Sequence, residues 1–222
     1  MRKAGAALSL ALVLAVAAAA CGGGDGDLTV YAAASLSSAL PQADGVRYSF
    51  AGSQQLVAQI EQGVEADVLV TADERTIKRV TADYDAVAST TLAIAVAPGN
   101  PKRIDALADL AGSNIAVVLA DPSVPIGRYS ADALAKANVT VRPKSLELDV
   151  EAALQKVAIG EADATIAYAA ATTTATAKAE LVPIPPEHNV VARYYAAALT
   201  DRGKPYVEDL PAVLHKRGFD DP

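Results

Sequence analysis

Leu28-Thr29-Val30-Tyr31-Ala32-Ala33-Ala34-Ser35-Leu36 decides the fold, read together with Phe50-Ala51-Gly52-Ser53-Gln54. Each stretch runs from β-branched or aromatic residues into small ones and then a hydroxyl, the pattern of a buried strand handing over to a helix. Working outward, apolar runs at Val46 to Phe50, Val68 to Val70, Leu92 to Ala97, Ile115 to Leu119, Ala164 to Tyr168, Leu181 to Ile184 and Val190 to Leu199 read as further strands. Helical periodicity falls between them, at Gln54 to Gln62 before Gly63, from Arg128 onward, at Val150 to Ile159 before Gly160, and at Tyr206 to Arg217. This alternation predicts an α/β chain with mainly parallel strands.

Composition narrows the function. The 222 residues are 52% hydrophobic but only 5% aromatic, with no Trp, so the apolar excess lies in small residues that pack closely. A formal net charge of −7 sets a repulsive field against a polyanion, and nucleic acid is excluded as a partner. One Cys rules out internal disulfides and multi-Cys metal sites, and two His, His188 and His215, are too few for a His-rich centre.

Residues 1–20 read as a secretory leader: Arg2 and Lys3 precede an apolar run from Ala6 to Ala20, shorter than the ~20 apolar residues of a comfortable membrane span. Ala18-Ala19-Ala20-Cys21 resembles a bacterial lipobox with Ala18 where Leu is usual, so Cys21 is the expected lipidation site. The Gly-rich, acidic stretch 21–27 is then a flexible tether. An anchored, extracytoplasmic protein follows from this reading.

The strand-to-helix junctions carry the chemistry. At Ser35 and at Ser53 the hydroxyl either caps its helix or donates to a ligand that the exposed N–H groups of the helix start also face. The loop Asp121-Pro122-Ser123-Val124-Pro125-Ile126-Gly127, stiffened by two prolines, presents the N–H groups of Ile126 and Gly127, or serves only as a connection. Val150 opens a helix behind the expected cap Asp149, and Tyr168 ends a strand with its phenol in a cleft or at a core edge. No Ser has an obvious His partner and no Gly-x-Ser-x-Gly is present, so the chain is not expected to be an enzyme. Asp73-Glu74 reads as a helix start and Asp220-Asp221 as a solvated tail.

In order along the chain, LTVYAAASL (28–36), FAGSQQLVAQIEQG (50–63), ADVLVTAD (66–73), DPSVPIGRYS (121–130) and the segment from Ala152 to Tyr168 resemble the molybdate-binding proteins of bacterial ABC transporters. The resemblance implies a type II periplasmic-binding-protein fold, two α/β lobes joined by a hinge with an oxyanion in the cleft. It implies a first lobe of residues 28–91, a second of 92–193 and a return segment to the first of 194–222. Carried over residue by residue, Ser35 and Ser53 are the hydroxyl donors, Ile126 and Val150 the backbone N–H donors, and Tyr168 the phenol donor. The ligand implied is molybdate, with tungstate close behind, delivered to a membrane permease by a monomer without a cofactor.

The chain departs from the family between Leu36 and Gly52, which is short and carries Pro41, and after Tyr168, where Ala169-Ala170-Ala171 replaces a hydroxyl and Asp. A stub of a helix after Ser35 is expected. The alternatives are a receptor for another oxyanion such as sulfate, a receptor for an organic acid clamped by Arg128 or Arg193, or a truncated family member that binds nothing.

Overall fold

The computed structural model describes residues 26–170 and 179–222. The leader, Cys21 and the tether up to Asp25 lie outside the described residues, as does Ala171. Among the described residues, no helix is long and apolar enough to cross a membrane.

The larger sheet has the order β2 (Val46–Ala51), β1 (Leu28–Ala33), β3 (Val68–Thr71), β10 (Ala192–Ala198), β4 (Asp85–Thr90). A second sheet is β8 (Ala164–Tyr168), β5 (Leu92–Val96), β9 (Glu180–Pro183), and β6 (Val118–Ala120) pairs with β7 (Ser145–Glu147). An isolated parallel bridge, Val117 to Ala164, ties that pair to β8. Helices α1 (Ser53–Glu61), α2 (Glu74–Ile77), α3 (Pro125–Lys136), α4 (Val150–Ala158) and α5 (Lys204–His215) accompany these strands.

The expectation of mainly parallel strands is corrected. β1 runs parallel to β2 and β3, and β6 to β7, but β10 is antiparallel to both β3 and β4, and β5 to both β8 and β9. Periodicity shows that a helix follows a strand, not which neighbour the strand then takes, and β10 enters the larger sheet from the far side. Local boundaries also move. β6 begins at Val118 because Ile115 is held in a turn, its N–H donating to Gly112 O at 3.1 Å. α3 begins at Pro125 rather than Arg128, with the proline at the first helical position, where its missing N–H costs nothing. After Ser35 there is only a 3₁₀ turn, Ala34–Leu36, the stub expected from Pro41.

The chain passes between the sheets twice, from β4 to β5 and from β9 to β10. Asn189 joins the two passages: its Oδ1 accepts from Leu92 N at 2.9 Å, and its Nδ2 donates to Leu92 O at 2.9 Å and Ile184 O at 3.1 Å. One apolar cluster runs through both, from Val30 and Val70 to Ile94, Ile166, Tyr168 and Tyr194. Asp220 does more than sit in a solvated tail. It exchanges backbone hydrogen bonds of 2.9 Å with Ser89 and covers the open edge at β4.

Candidate functional site

Four chain junctions meet at one cavity: the end of β1, the start of α1, the start of α3 and the start of α4. Its walls include Ser35, Ser53, Ile126, Val150 and Tyr168, the five residues picked from the sequence, with Gly52, Gln54, Ala72, Leu148 and Asp149 beside them. The space is about 20 Å³, little more than the roughly 10–15 Å³ needed by a single water.

Neither serine is a cap. The residue before the Ser35 turn is Ala33 and the N-cap of α1 is Gly52, whose N–H donates to Gln55 Oε1 at 3.1 Å. Instead each hydroxyl oxygen accepts from the protein. Tyr194 OH donates to Ser35 Oγ at 3.0 Å and Ala72 N–H donates to Ser53 Oγ at 3.1 Å. Both serines are about 2% exposed, so an accepted bond on one side leaves the hydroxyl proton for the cavity they line.

The other two junctions offer backbone groups. At α3 the Val124 carbonyl accepts from Arg128 N, and the Ile126 N–H finds no acceptor among the described residues. At α4 the expected cap is found: Asp149 Oδ1 accepts from Ala152 N at 2.8 Å, which leaves the Val150 N–H without a protein acceptor among the described residues. With α1, three helix starts put their positive dipole ends at one point. Among the described residues, no Lys or Arg lines the cavity.

Tyr168 is buried and lines the cavity too, so the cleft and core readings of this residue both hold. Burial, with Tyr194 and Tyr129 nearby, pushes its phenol well above the usual tyrosine range, and it stays protonated. Around it Tyr129 lies 6.4 Å and Tyr194 5.6 Å away, centroid to centroid.

Arg128 and Arg193 do not form a clamp in the cavity. The Arg128 side chain crosses to α2, where Nε donates to Asp73 Oδ2 at 3.2 Å and Nη2 pairs with the same carboxylate, and Nη1 donates back to Pro122 O at 3.3 Å. Arg193 lines a separate, charged surface cleft with Glu74, Arg75 and Asp132. Asp73 caps α2 by accepting from Thr76 N at 2.9 Å, the helix start read from the sequence. Neither His188 nor His215 borders the cavity.

The bacterial extracellular solute-binding protein family matches residues 28–212. The chain belongs to that family. A molybdate-binding protein ModA of Mycobacterium tuberculosis is 34% identical over 201 aligned residues, covering 80% of this chain and 74% of the relative. Among solved structures, the periplasmic molybdate-binding protein of Azotobacter vinelandii superposes with a TM-score of 0.70 at 21% identity, over 88% of this chain and 100% of that one. The sulfate-binding protein SubI of Mycobacterium tuberculosis gives 0.67 at 19%, over 88% and 87%. These likenesses fix the fold as the two-lobed type II periplasmic-binding-protein architecture. The family's work is solute binding rather than catalysis, and it uses no cofactor.

Sequence reading missed three features of this solute-binding protein's cavity. Gln54 Nε2 donates to Leu148 O at 2.8 Å across the cleft, while its buried Oε1 has no donor among the described residues. The ion pair Asp73–Arg128 ties the loop beside Ser53 to the first turn of α3, which carries Ile126. Tyr194 stands behind Ser35. All three join residues far apart in the chain and leave no local signal.

Proposed function

We propose that this protein captures molybdate, and tungstate with it, outside the cytoplasm and hands it to an ABC permease. The observation that carries the reading is the convergence of Ser35, Ser53, Ile126, Val150 and Tyr168 on one small cavity with no Lys or Arg among its described lining residues. A fully ionised tetrahedral dianion has acceptors only, and hydroxyl and N–H donors satisfy it completely. The ModA relatives favour the same ligand. Sulfate offers the same acceptors but is smaller, so the closed cavity has to reject it by size. In this reading residues 28–91 and 194–222 form one lobe and 92–193 the other, closing about the passages that Asn189 joins. Lipidated Cys21 holds the monomer at the membrane through the tether 21–27.

Gln54 Oε1 favours a second reading. A buried acceptor at the cavity wall would suit the proton of a hydrogen phosphate ion, which the donors alone leave unpaired at a cost of ~1–3 kcal/mol.

Thermal unfolding of the mature protein with molybdate, tungstate, sulfate and phosphate in turn separates these readings. A ligand at 100 times its dissociation constant adds ~2.7 kcal/mol, readily seen as a raised midpoint. Stabilisation by molybdate and tungstate alone is expected. Stabilisation by phosphate moves the ligand to the second reading, and no response to any ion contradicts oxyanion capture.

A further inference from the structure

We propose that Tyr194 is a positioning residue that fixes Ser35 as a hydrogen-bond donor, so that this corner of the cavity takes an anion oxygen only when that oxygen carries no proton. The inference rests on the oxyanion reading above and deepens it from ligand class to the basis of selectivity.

Tyr194 lies on β10 with no exposed surface, and among the described residues its hydroxyl has one partner, Ser35 Oγ at 3.0 Å. Two hydroxyls share that bond, and burial decides its direction. If Ser35 donated, the phenol proton would be buried without an acceptor at a cost of ~1–3 kcal/mol. If Tyr194 donates, the Ser35 proton is left for the cavity, where an anion accepts it. The ring cannot follow a turning serine, because Phe219 meets it edge-on at 5.4 Å and Tyr168 lies at 5.6 Å on β8. Burial also pushes the Tyr194 phenol far up, so it remains a donor at every physiological pH.

Ser53 shows the same device in a form that cannot fail. Its oxygen accepts from the Ala72 backbone N–H, a group that can only donate. The two serines are therefore held in one sense by different means, and only the Tyr194 lock can be opened by a side-chain substitution. Without the phenol hydroxyl, Ser35 is free to rotate and accept, and a protonated oxyanion finds the partner it lacked.

The test is calorimetric titration of the mature protein near pH 8 with molybdate, sulfate and hydrogen phosphate, for the wild type, Tyr194→Phe, Ser35→Ala and the double variant. Phenylalanine keeps the ring contacts, and the ligand-free unfolding midpoint checks that the fold is retained. In Tyr194→Phe, molybdate should weaken by about three- to tenfold and sulfate should stay rejected, while hydrogen phosphate strengthens at least about threefold. In the Ser35→Ala background, the same substitution should leave the order of the anions unchanged. Phosphate that fails to gain, or an equal loss for molybdate and phosphate, overturns the lock while leaving oxyanion capture intact. A wild type that binds none of the three overturns the oxyanion reading, and the lock with it.

Discussion

The two serine junctions and the two helix starts opposite them offer the same chemical group by opposite means. Ser35 and Ser53 present hydroxyls whose direction is set by a neighbour, Tyr194 in one case and Ala72 N–H in the other. Ile126 and Val150 present backbone N–H groups whose direction is set by the helix itself and that no neighbour can reverse. In the proposed reading, side-chain donors are adjustable and carry selectivity, while backbone donors are fixed and carry the field of the helix start. The tight joint between them is made by small residues. A Cβ on Gly52 would lie 2.8 Å from Leu148 O, and one on Gly127 would lie 1.9 Å from Asp121 O.

The largest effect is expected at that joint. Gly127→Ala has to push the start of α3 off the Asp121 carbonyl, at a cost of about 3 kcal/mol or more, and it moves the Ile126 N–H with it. The unfolding midpoint of the apo variant should fall by several degrees and molybdate should no longer raise it; wild-type behaviour would mean that the contact yields cheaply.

A sharper comparison sets one donor of each kind side by side. Val150→Pro deletes a backbone N–H at the first helical position, where proline is tolerated, and the extended Asp149 (φ −158°, ψ 169°) suits a residue before proline. Ser53→Ala deletes a hydroxyl and leaves the buried Ala72 N–H without its acceptor. Each should weaken molybdate by roughly ten- to a hundredfold, the ~1.5–3 kcal/mol of a hydrogen bond to a charged group. The alanine variant should lose ~1–3 kcal/mol of apo stability besides, for the orphaned N–H. Titration and unfolding together read both effects, and equal affinities for Val150→Pro and the wild type would remove the backbone donor from the site.

The smallest effects concern pH and salt. The phenols of Tyr168 and Tyr194 titrate above their unfolded value of about 10, so the stability they contribute is complete below that pH and is lost as pH rises toward the folded values. Molybdate affinity should therefore be flat between about pH 6 and 9 and the unfolding midpoint should drop above about pH 10. Added salt should matter little, since among the described residues no cationic side chain lines the cavity and charges beyond ~8 Å are screened at physiological ionic strength. A steep salt dependence measured by titration would call for a charged contact.

Much of this was legible in the sequence because the site is made of junctions. A strand ending in small residues and a hydroxyl, or a proline-stiffened loop before a helix, is a local pattern, and Ser35, Ser53, Ile126, Val150 and Tyr168 each stand in one. What escaped was pairing across distance. β4 carries little strand signal, since Asp85-Ala86-Val87-Ala88-Ser89-Thr90 holds a single large apolar residue, and its place in the sheet comes from β10 and Asp220. β7 is three residues long and exists only against β6. The Asp73–Arg128 pair and the Tyr194–Ser35 bond join residues 55 and 159 positions apart, which no periodicity encodes.

A crystal structure of the mature protein with molybdate, located by the anomalous signal of the metal, tests most directly whether these donors hold the ion. Ser35 Oγ, Ser53 Oγ, Ile126 N, Val150 N and the Tyr168 hydroxyl should all lie within hydrogen-bond distance of its oxygens, with Tyr194 still donating to Ser35. Molybdate seated in the charged cleft beside Arg193, or in the cavity with Arg128 swung in to meet it, would contradict a site built from hydroxyl and backbone N–H donors.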